Sequence, residues 1–200
     1  MDRRARSKEP PSQTPDAAAL HDAALNYLAR YAATEASLRR MLERRIDRWA
    51  RLAQTTQTDR DAITAQTAAA KQAVRTVVAR LAAAGAVNDA AFAESRARSL
   101  TRAGRSRQAI SAHLAAKGVG AETQRRVLSE DTAEAEFAAA LVLARRRRIG
   151  PFRTGEAPDA AGRRRELAIF ARAGFPQSVA ARALDTDASE AEALVNQLRR

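Results

Sequence analysis

The chain has 200 residues, which is enough for one or two ordinary domains with a buried core. Its 51 alanines account for more than half of the 46% of residues that are apolar, so large apolar side chains are scarce and the core should be thin. The net charge of +12, from 35 basic and 23 acidic residues, predicts a polyanionic partner. The absence of cysteine excludes disulfides, thiolate metal sites and cysteine nucleophiles.

The first segment, residues 1–15, is a basic and polar tail that we expect to be disordered. It carries three prolines, which oppose a helix, and it offers almost no apolar surface. It also lacks the apolar core of a signal peptide, and no stretch of the chain approaches the ~18 consecutive apolar residues of a membrane span. We therefore expect a cytoplasmic protein with no membrane contact.

The remaining chain predicts an all-α fold of about nine helices, because alanine favours helices and residues typical of strands are few. Thr34, Asn88 and Ser106 are predicted N-caps of apolar-periodic segments, and Thr58-x-x-Asp61 has capping-box spacing. Glycines follow several of these segments. Gly155–Gly162 is a predicted loop. In chain order, the nine predicted helices are 16–33, Thr34 to Leu52, Thr58 to Gly85, Asn88 to Gly104, Ser106 to Gly118, 122–128, Asp131 to Gly150, a segment around Leu167 ending at Gly174, and one after Pro176. A final amphipathic segment lies around Leu194.

Apolar stripes at helical spacing predict the core. Trp49 lies on such a stripe, which favours core packing over a second interpretation, a platform on which a nucleic-acid base stacks. The same argument applies to the two tyrosines of the chain. The stripes are Leu20, Ala24, Tyr27 and Tyr31 in the first helix, Leu38, Leu42, Ile46, Trp49 and Leu52 in the second, and Phe92, Ala93, Ala97 and Leu100 in the fourth.

An internal repeat organises the chain. The segments 114–119 and 170–175 share an apolar-x3-Gly-apolar pattern, and each precedes a short helix. This repeat predicts tandem three-helix units at 16–87, 88–130 and 131–200, stacked into an elongated arrangement. The first unit has lengthened second and third helices, and the last carries the loop insertion and a C-terminal helix.

The sequence offers no set of residues for catalysis. His21 and His113 are the only histidines, and neither has companions at metal-ligand spacing. Paired carboxylates, phosphate-binding loops and nucleophile elbows are also missing from the pattern. We therefore expect a non-enzymatic protein with no metal and no cofactor.

Basic residues cluster first in a stretch without acidic residues, from Ser95 to Ala121. Within it, Arg98, Arg102 and Arg105 have the i, i+4, i+7 spacing of a helical stripe, where like charges repel unless an anion relieves them. A solvated face is the alternative interpretation. The candidate binding residues of this stretch are Arg96, Arg98, Arg102, Arg105, Arg107 and Lys117.

A second basic group follows the predicted seventh helix. Cations at a helix C-terminus suit the helix dipole, but four in succession exceed what capping needs, so phosphate contact is the alternative. A GC-rich genome would explain the preference for arginine over lysine, although it does not require an excess of positive charge. The candidates here are Arg145, Arg146, Arg147 and Arg148, followed by Arg163, Arg164 and Arg165.

Several motifs together resemble the RecX family of RecA-recombinase modulators. Their order and spacing are more specific than any one of them, and they span roughly residues 24–184. The motifs are Ala24-Leu-Asn-Tyr-Leu-Ala-Arg-Tyr-Ala32, Ser37-Leu-Arg-Arg-x-Leu42, Asn88-Asp-x-x-Phe-Ala93, Leu114-x-x-Lys-Gly-Val119, and Gly174-Phe175 with Val179 and Leu184.

The resemblance implies an elongated, curved, non-catalytic molecule that binds RecA filaments on single-strand DNA. It further implies that the protein lodges in the filament groove and inhibits recombination and coprotease activity, in DNA repair and the SOS response. Duplex DNA bound without sequence preference is an additional expected partner, and we expect a monomer. The stretches Gln54–Ala70 and Gly155–Gly162 depart from the compact family pattern.

Two other functional classes remain open. The helix from Ser106 to Gly118 follows a turn at Gly104 and fits the second helix of a helix-turn-helix transcription regulator, although it offers few base-reading side chains. A helical scaffold for a protein partner is the third class. Salt-sensitive DNA binding without sequence preference would disfavour both.

We predict that residues 1–15 contribute nothing to folding, because they bury too little apolar surface to offset the entropy of ordering them. A truncation that starts at Asp16 should keep the far-ultraviolet circular dichroism spectrum and the melting temperature of the full chain. A fall of several degrees would contradict the prediction.

Overall fold

The computed structural model describes residues 13–56, 59–129 and 133–199, the last without its side chain. All regular structure in these ranges is helical, which confirms the predicted all-α class. Most of the predicted tail, residues 1–12, lies outside the described residues. The helices are α1 (Ala17–Leu28), α2 (Glu35–Thr56), α3 (Arg60–Ala83), α4 (Asp89–Arg102), α5 (Arg107–Lys117), α6 (Ala121–Ser129), α7 (Ala133–Arg147), α8 (Ala160–Arg172), α9 (Gln177–Asp185) and α10 (Ala188–Arg199), with one 3-10 turn at Gly150–Phe152.

Helices α1 to α3 form the first of two compact units, which ends at Asp89. The apolar stripes of α2 and α3 face each other, with α1 packed against them. A separate small apolar cluster lies between α2 and α3, where α2 ends and α3 begins. The main cluster is Leu20, Ala24, Leu38, Leu42, Ile46, Ala70, Val74, Val77, Val78, Leu81 and Val87, and the small one is Trp49, Ala53 and Ile63.

Local capping explains where these helices begin. The Ser37 amide donates to Thr34 Oγ1 at 3.1 Å, as expected for a capping residue at the start of α2. The Ala62 amide donates to Asp59 Oδ1 at 2.9 Å, so Asp59 is the N-cap of α3. The predicted cap, Thr58, lies outside the described residues, and the Thr58-x-x-Asp61 interpretation of this start was wrong.

The first unit differs from its prediction in two side chains. Helix α1 ends at Leu28 rather than near residue 33, so Tyr31 leaves the predicted stripe and is 57% exposed, while Tyr27 stays half-buried. In α2, Ala53 continues the stripe after Trp49, and Leu52 is exposed instead.

Helices α4 to α10 form the second compact unit, which begins at Ala90. One core lies among α4, α5 and α6, and a larger one gathers α8, α9 and α10 around α7. Within the larger core, every residue of α7 from Glu136 to Ala144 is buried. The smaller core contains Ala93, Ala97, Ile110, Leu114, Val119, Val127 and Leu128.

Polar contacts fix α5 to the rest of this unit. The predicted N-cap, Ser106, accepts from the Ala109 amide, and its hydroxyl donates to the Ala173 carbonyl at 2.7 Å. The Arg107 amide donates to the buried Glu136 carboxylate at 3.3 Å. The N-terminal end of α5 is therefore covered by the turn after α8 and by α7.

Three expectations for the second unit need correction. Leu100 is half-buried rather than fully buried, so it contributes less than a core leucine. The predicted loop ends at Asp159, not Gly162, because the Asp159 carboxylate caps α8 by accepting from the Gly162 amide at 2.6 Å. The predicted arginine stripe is interrupted, since α4 ends at Arg102 and Gly104 turns the chain with a φ of +75°.

We predict that Gly104→Ala destabilises the protein more than Gly85→Ala. Both glycines have a positive φ, which costs alanine about 1–2 kcal/mol. A Cβ at Gly104 would also lie 2.9 Å from Val142 Cγ1 and 3.1 Å from the Ala139 carbonyl oxygen, whereas one at Gly85 meets nothing within 4 Å. The clash should cost about 1–3 kcal/mol more, measured by urea unfolding. Equal losses for the two variants would contradict the close packing at Gly104.

Candidate functional site

The described residues contain no group of three or more histidine, aspartate or glutamate side chains that could hold a metal ion. Among the helices of these ranges, none combines the length and the apolar character that crossing a bilayer requires. The chemical features that stand out are clusters of arginine and lysine on the second unit.

The first cluster surrounds His113, which lies half-buried on α5. Arg96, on α4, donates its Nε–H to His113 Nε2 at 3.1 Å. The charges of Lys117, at the end of α5, and Arg105, in the turn after α4, also act on the imidazole. All three basic side chains are exposed to solvent. The fold therefore brings three of the predicted binding residues together around His113, which had no companions in the sequence that indicated a site.

Burial and positive charge both lower the pKa of His113 below its ordinary value of 6.5. Partial burial is the largest cause, followed by repulsion from Arg96, Lys117 and Arg105. The imidazole is therefore neutral at physiological pH, and its Nε2 accepts the hydrogen bond from Arg96. We call these residues (Arg96, Arg105, His113 and Lys117) the His113 cluster, and every charged group that shifts the pKa of His113 is a cation.

The second group of basic residues lines a cleft of about 320 Å³ beside α4. Arg98 and Arg102 line it one helical turn apart, and both are exposed. Its apolar wall includes Val127 from α6 and Leu198 from α10. Arg98 and Arg102 thus keep the neighbouring positions predicted for them, while Arg105 belongs to the His113 cluster.

The arginines at the end of α7 divide into two kinds. Arg145 is half-buried and pairs with Glu192 of α10 at 3.2 Å, an ordinary surface ion pair. Arg146, Arg147 and Arg148 are exposed. Arg145 and Arg148 line a groove of about 400 Å³ together with Arg153, whose guanidinium pairs with Glu166.

Two further candidates make contacts within the fold. The Arg107 guanidinium donates to the Leu128 carbonyl at the end of α6, so it ties α5 to α6. Arg163 pairs with Asp185 of α9 at 2.6 Å. Arg164 and Arg165, next to it on α8, are exposed.

A further basic helix, in the first unit, was not among the predicted binding residues. Helix α2 carries six exposed arginines, several at the same i, i+4 spacing that drew attention to Arg98 and Arg102. The presence of acidic residues on the same helix concealed this pattern. The six are Arg39, Arg40, Arg44, Arg45, Arg48 and Arg51.

Comparison with known proteins gives consistent results. A family profile described as the second three-helix domain of RecX matches residues 88–128. The regulatory protein RecX of Myxococcus xanthus is 38% identical over 169 residues, which cover 84% of this chain and 85% of that protein. The regulatory protein RecX of Agrobacterium fabrum is 35% identical over 111 residues, 56% of this chain and 58% of that protein. The search of solved structures found no significant match.

We predict that His113 titrates below 6.5 in the folded protein and that Arg105→Ala raises its pKa by removing one source of repulsion. Because the unfolded chain binds this proton more readily, the contribution to stability is present above 6.5 and is lost as the pH falls towards the lowered folded pKa. NMR of the histidine ring signals as a function of pH measures the pKa of His113. The His21→Gln variant lacks the other histidine, so it identifies which signals belong to His113. An unchanged pKa in Arg105→Ala would contradict the proposed repulsion.

Proposed function

Since the chain belongs to the RecX family, we propose that it binds RecA filaments on single-strand DNA and restrains their recombinase and coprotease activities in DNA repair. In this proposal it acts without catalysis or cofactor, as a monomer in the cytoplasm. The single observation that carries the proposal is the 38% identity to a regulatory protein RecX over 84% of the chain.

The electrostatics of the second unit support a partner rich in phosphate. The His113 cluster and the pair Arg98–Arg102 present exposed positive charge on different sides of α4. A filament that carries DNA supplies negative charge along its length, so it attracts such a surface without requiring a base sequence. Polar contacts of this kind position a protein on nucleic acid but do not read sequence.

The packing of α5 argues against the helix-turn-helix alternative. A recognition helix contacts bases through the residues at its N-terminal end. In this fold, Ser106 at that end bonds to the Ala173 carbonyl and Arg107 bonds to Glu136 and Leu128. The end of α5 that would enter the major groove is therefore occupied by protein contacts.

Co-sedimentation tests the proposal. The protein should pellet with RecA–single-strand DNA filaments and should bind the same DNA more weakly when RecA is omitted. It should also slow RecA-dependent strand exchange and repressor cleavage. A protein that pellets with neither filaments nor DNA, or that leaves both activities unchanged, would refute the proposal.

We predict that Arg98→Ala/Arg102→Ala weakens filament binding and flattens its salt dependence. Each lost phosphate contact should lower the slope of log affinity against log salt by roughly one unit. The matched control is Arg125→Ala/Arg126→Ala, which removes the same charge from exposed positions of α6 in the same unit. Circular dichroism checks that both variants fold.

An equal loss in the two variants would mean that net charge alone governs binding. Wild-type affinity and slope in Arg98→Ala/Arg102→Ala would place the contact surface elsewhere.

A further inference from the structure

We propose that the His113 cluster is a site for one backbone phosphate of single-strand nucleic acid, and that His113 takes up a proton when the phosphate binds. The inference rests on the proposed function in one respect, that the partner contains DNA. It adds a defined site, the ligand class and a pH dependence.

The geometry of the free site explains why a ligand changes it. Arg96 Nε–H points to His113 Nε2 at 3.1 Å, so the neutral imidazole uses its lone pair to accept this bond. Protonation at Nε2 by solvent turns that acceptor into a donor and breaks the bond. Both Arg96 Nε–H and His113 Nε2–H can then donate to oxygens of one phosphate, which accepts two charge-assisted hydrogen bonds.

The charges that act on His113 come from α4, from the turn after it and from α5. Arg96 comes from α4, Arg105 from the turn after α4, and Lys117 from α5 itself. Towards α6, which packs against α5, the contact is uncharged: the Ser111 hydroxyl donates to Gln124 Oε1 at 3.0 Å. In the free protein these charges disfavour the imidazolium, and a bound anion offsets them.

A phosphodiester chain fits this surface better than an isolated anion. Positive charge also lies on another side of α4, where Arg98 and Arg102 line the separate cleft. A polyanion that follows the protein surface gains a contact at each basic group, whereas an isolated anion contacts one group. Arginine also matches the geometry of phosphate oxygens through its planar fork.

The sign of the pH effect follows from the linkage between proton and phosphate. Binding raises the pKa of His113 from its lowered value, so the bound protein holds more proton than the free protein between the two pKa values. Affinity must therefore increase as the pH falls through this window. With one proton involved, the increase is at most about tenfold per pH unit.

Binding of a short oligothymidylate to the full chain, measured by fluorescence anisotropy between about pH 8 and about pH 5, tests the inference. The phosphodiesters and bases of this probe keep their charge over that range, so the linked proton belongs to the protein. NMR of the His113 ring with and without saturating oligothymidylate gives the two pKa values. We expect the pKa to rise on binding and the affinity to increase on acidification.

Two variants separate the roles of the cluster. His113→Gln keeps an oxygen that can accept from Arg96 but cannot become positive, so it should bind as wild type at about pH 8 and gain nothing on acidification. His21→Gln replaces the other histidine of the chain, which lies in the first unit, and this variant should keep the full pH response. Arg96→Ala should weaken binding at every pH.

Each outcome bears on one claim. A His113 pKa unmoved by oligothymidylate, or a full pH response in His113→Gln, overturns the inference even if filaments still pellet the protein. A pKa raised by polyglutamate and not by oligothymidylate assigns the site to an acidic protein surface and also overturns it. If oligothymidylate raises the pKa of His113 but the protein does not bind RecA filaments, the result supports the site and refutes the proposed function.

Discussion

The enclosure of α7 is the constraint on which the second unit depends. Its residues from Glu136 to Ala144 span more than two helical turns and are all buried, so protein surrounds every face. Alanine makes this possible, because small side chains let α9, α10 and the Gly104 turn approach closely. Arg182 of α9 lies over the Phe137 ring, with its Cζ 3.8 Å from the ring centre, which covers the aromatic face with a cation.

This packing also decides where the charges of α4 and α5 lie. Gly104 contacts α7, so α4 must end at Arg102 and the chain must turn before α5 begins at Arg107. The turn moves Arg105 from the predicted helical stripe to the neighbourhood of His113. The contact of Gly104 with α7 thus separates Arg105 from Arg98 and Arg102, although the three have the spacing of one helical stripe in the sequence.

Local patterns in the sequence predicted the elements well and long-range contacts poorly. Ser106 was identified as a cap because the signal lies within three residues, and the helices around Leu114 and Phe137 follow from apolar spacing. The prediction for Tyr31 failed because α1 ends three residues before it, and no glycine or proline marks that end in the sequence. The Arg96–His113 bond joins residues 17 apart on different helices, and no local pattern reveals it.

The carboxylates of the second unit separate its arginines into two energetic classes. Arg145 and Arg163 each have a carboxylate partner, so a phosphate that binds them must first displace that partner. Burial and the cations of the His113 cluster lower the pKa of His113, so they disfavour the imidazolium in the free protein. A bound anion offsets the effect of the cations on the imidazole. We infer that the placement of the few acidic residues, more than the abundance of arginine, determines which surface of this chain meets a polyanion.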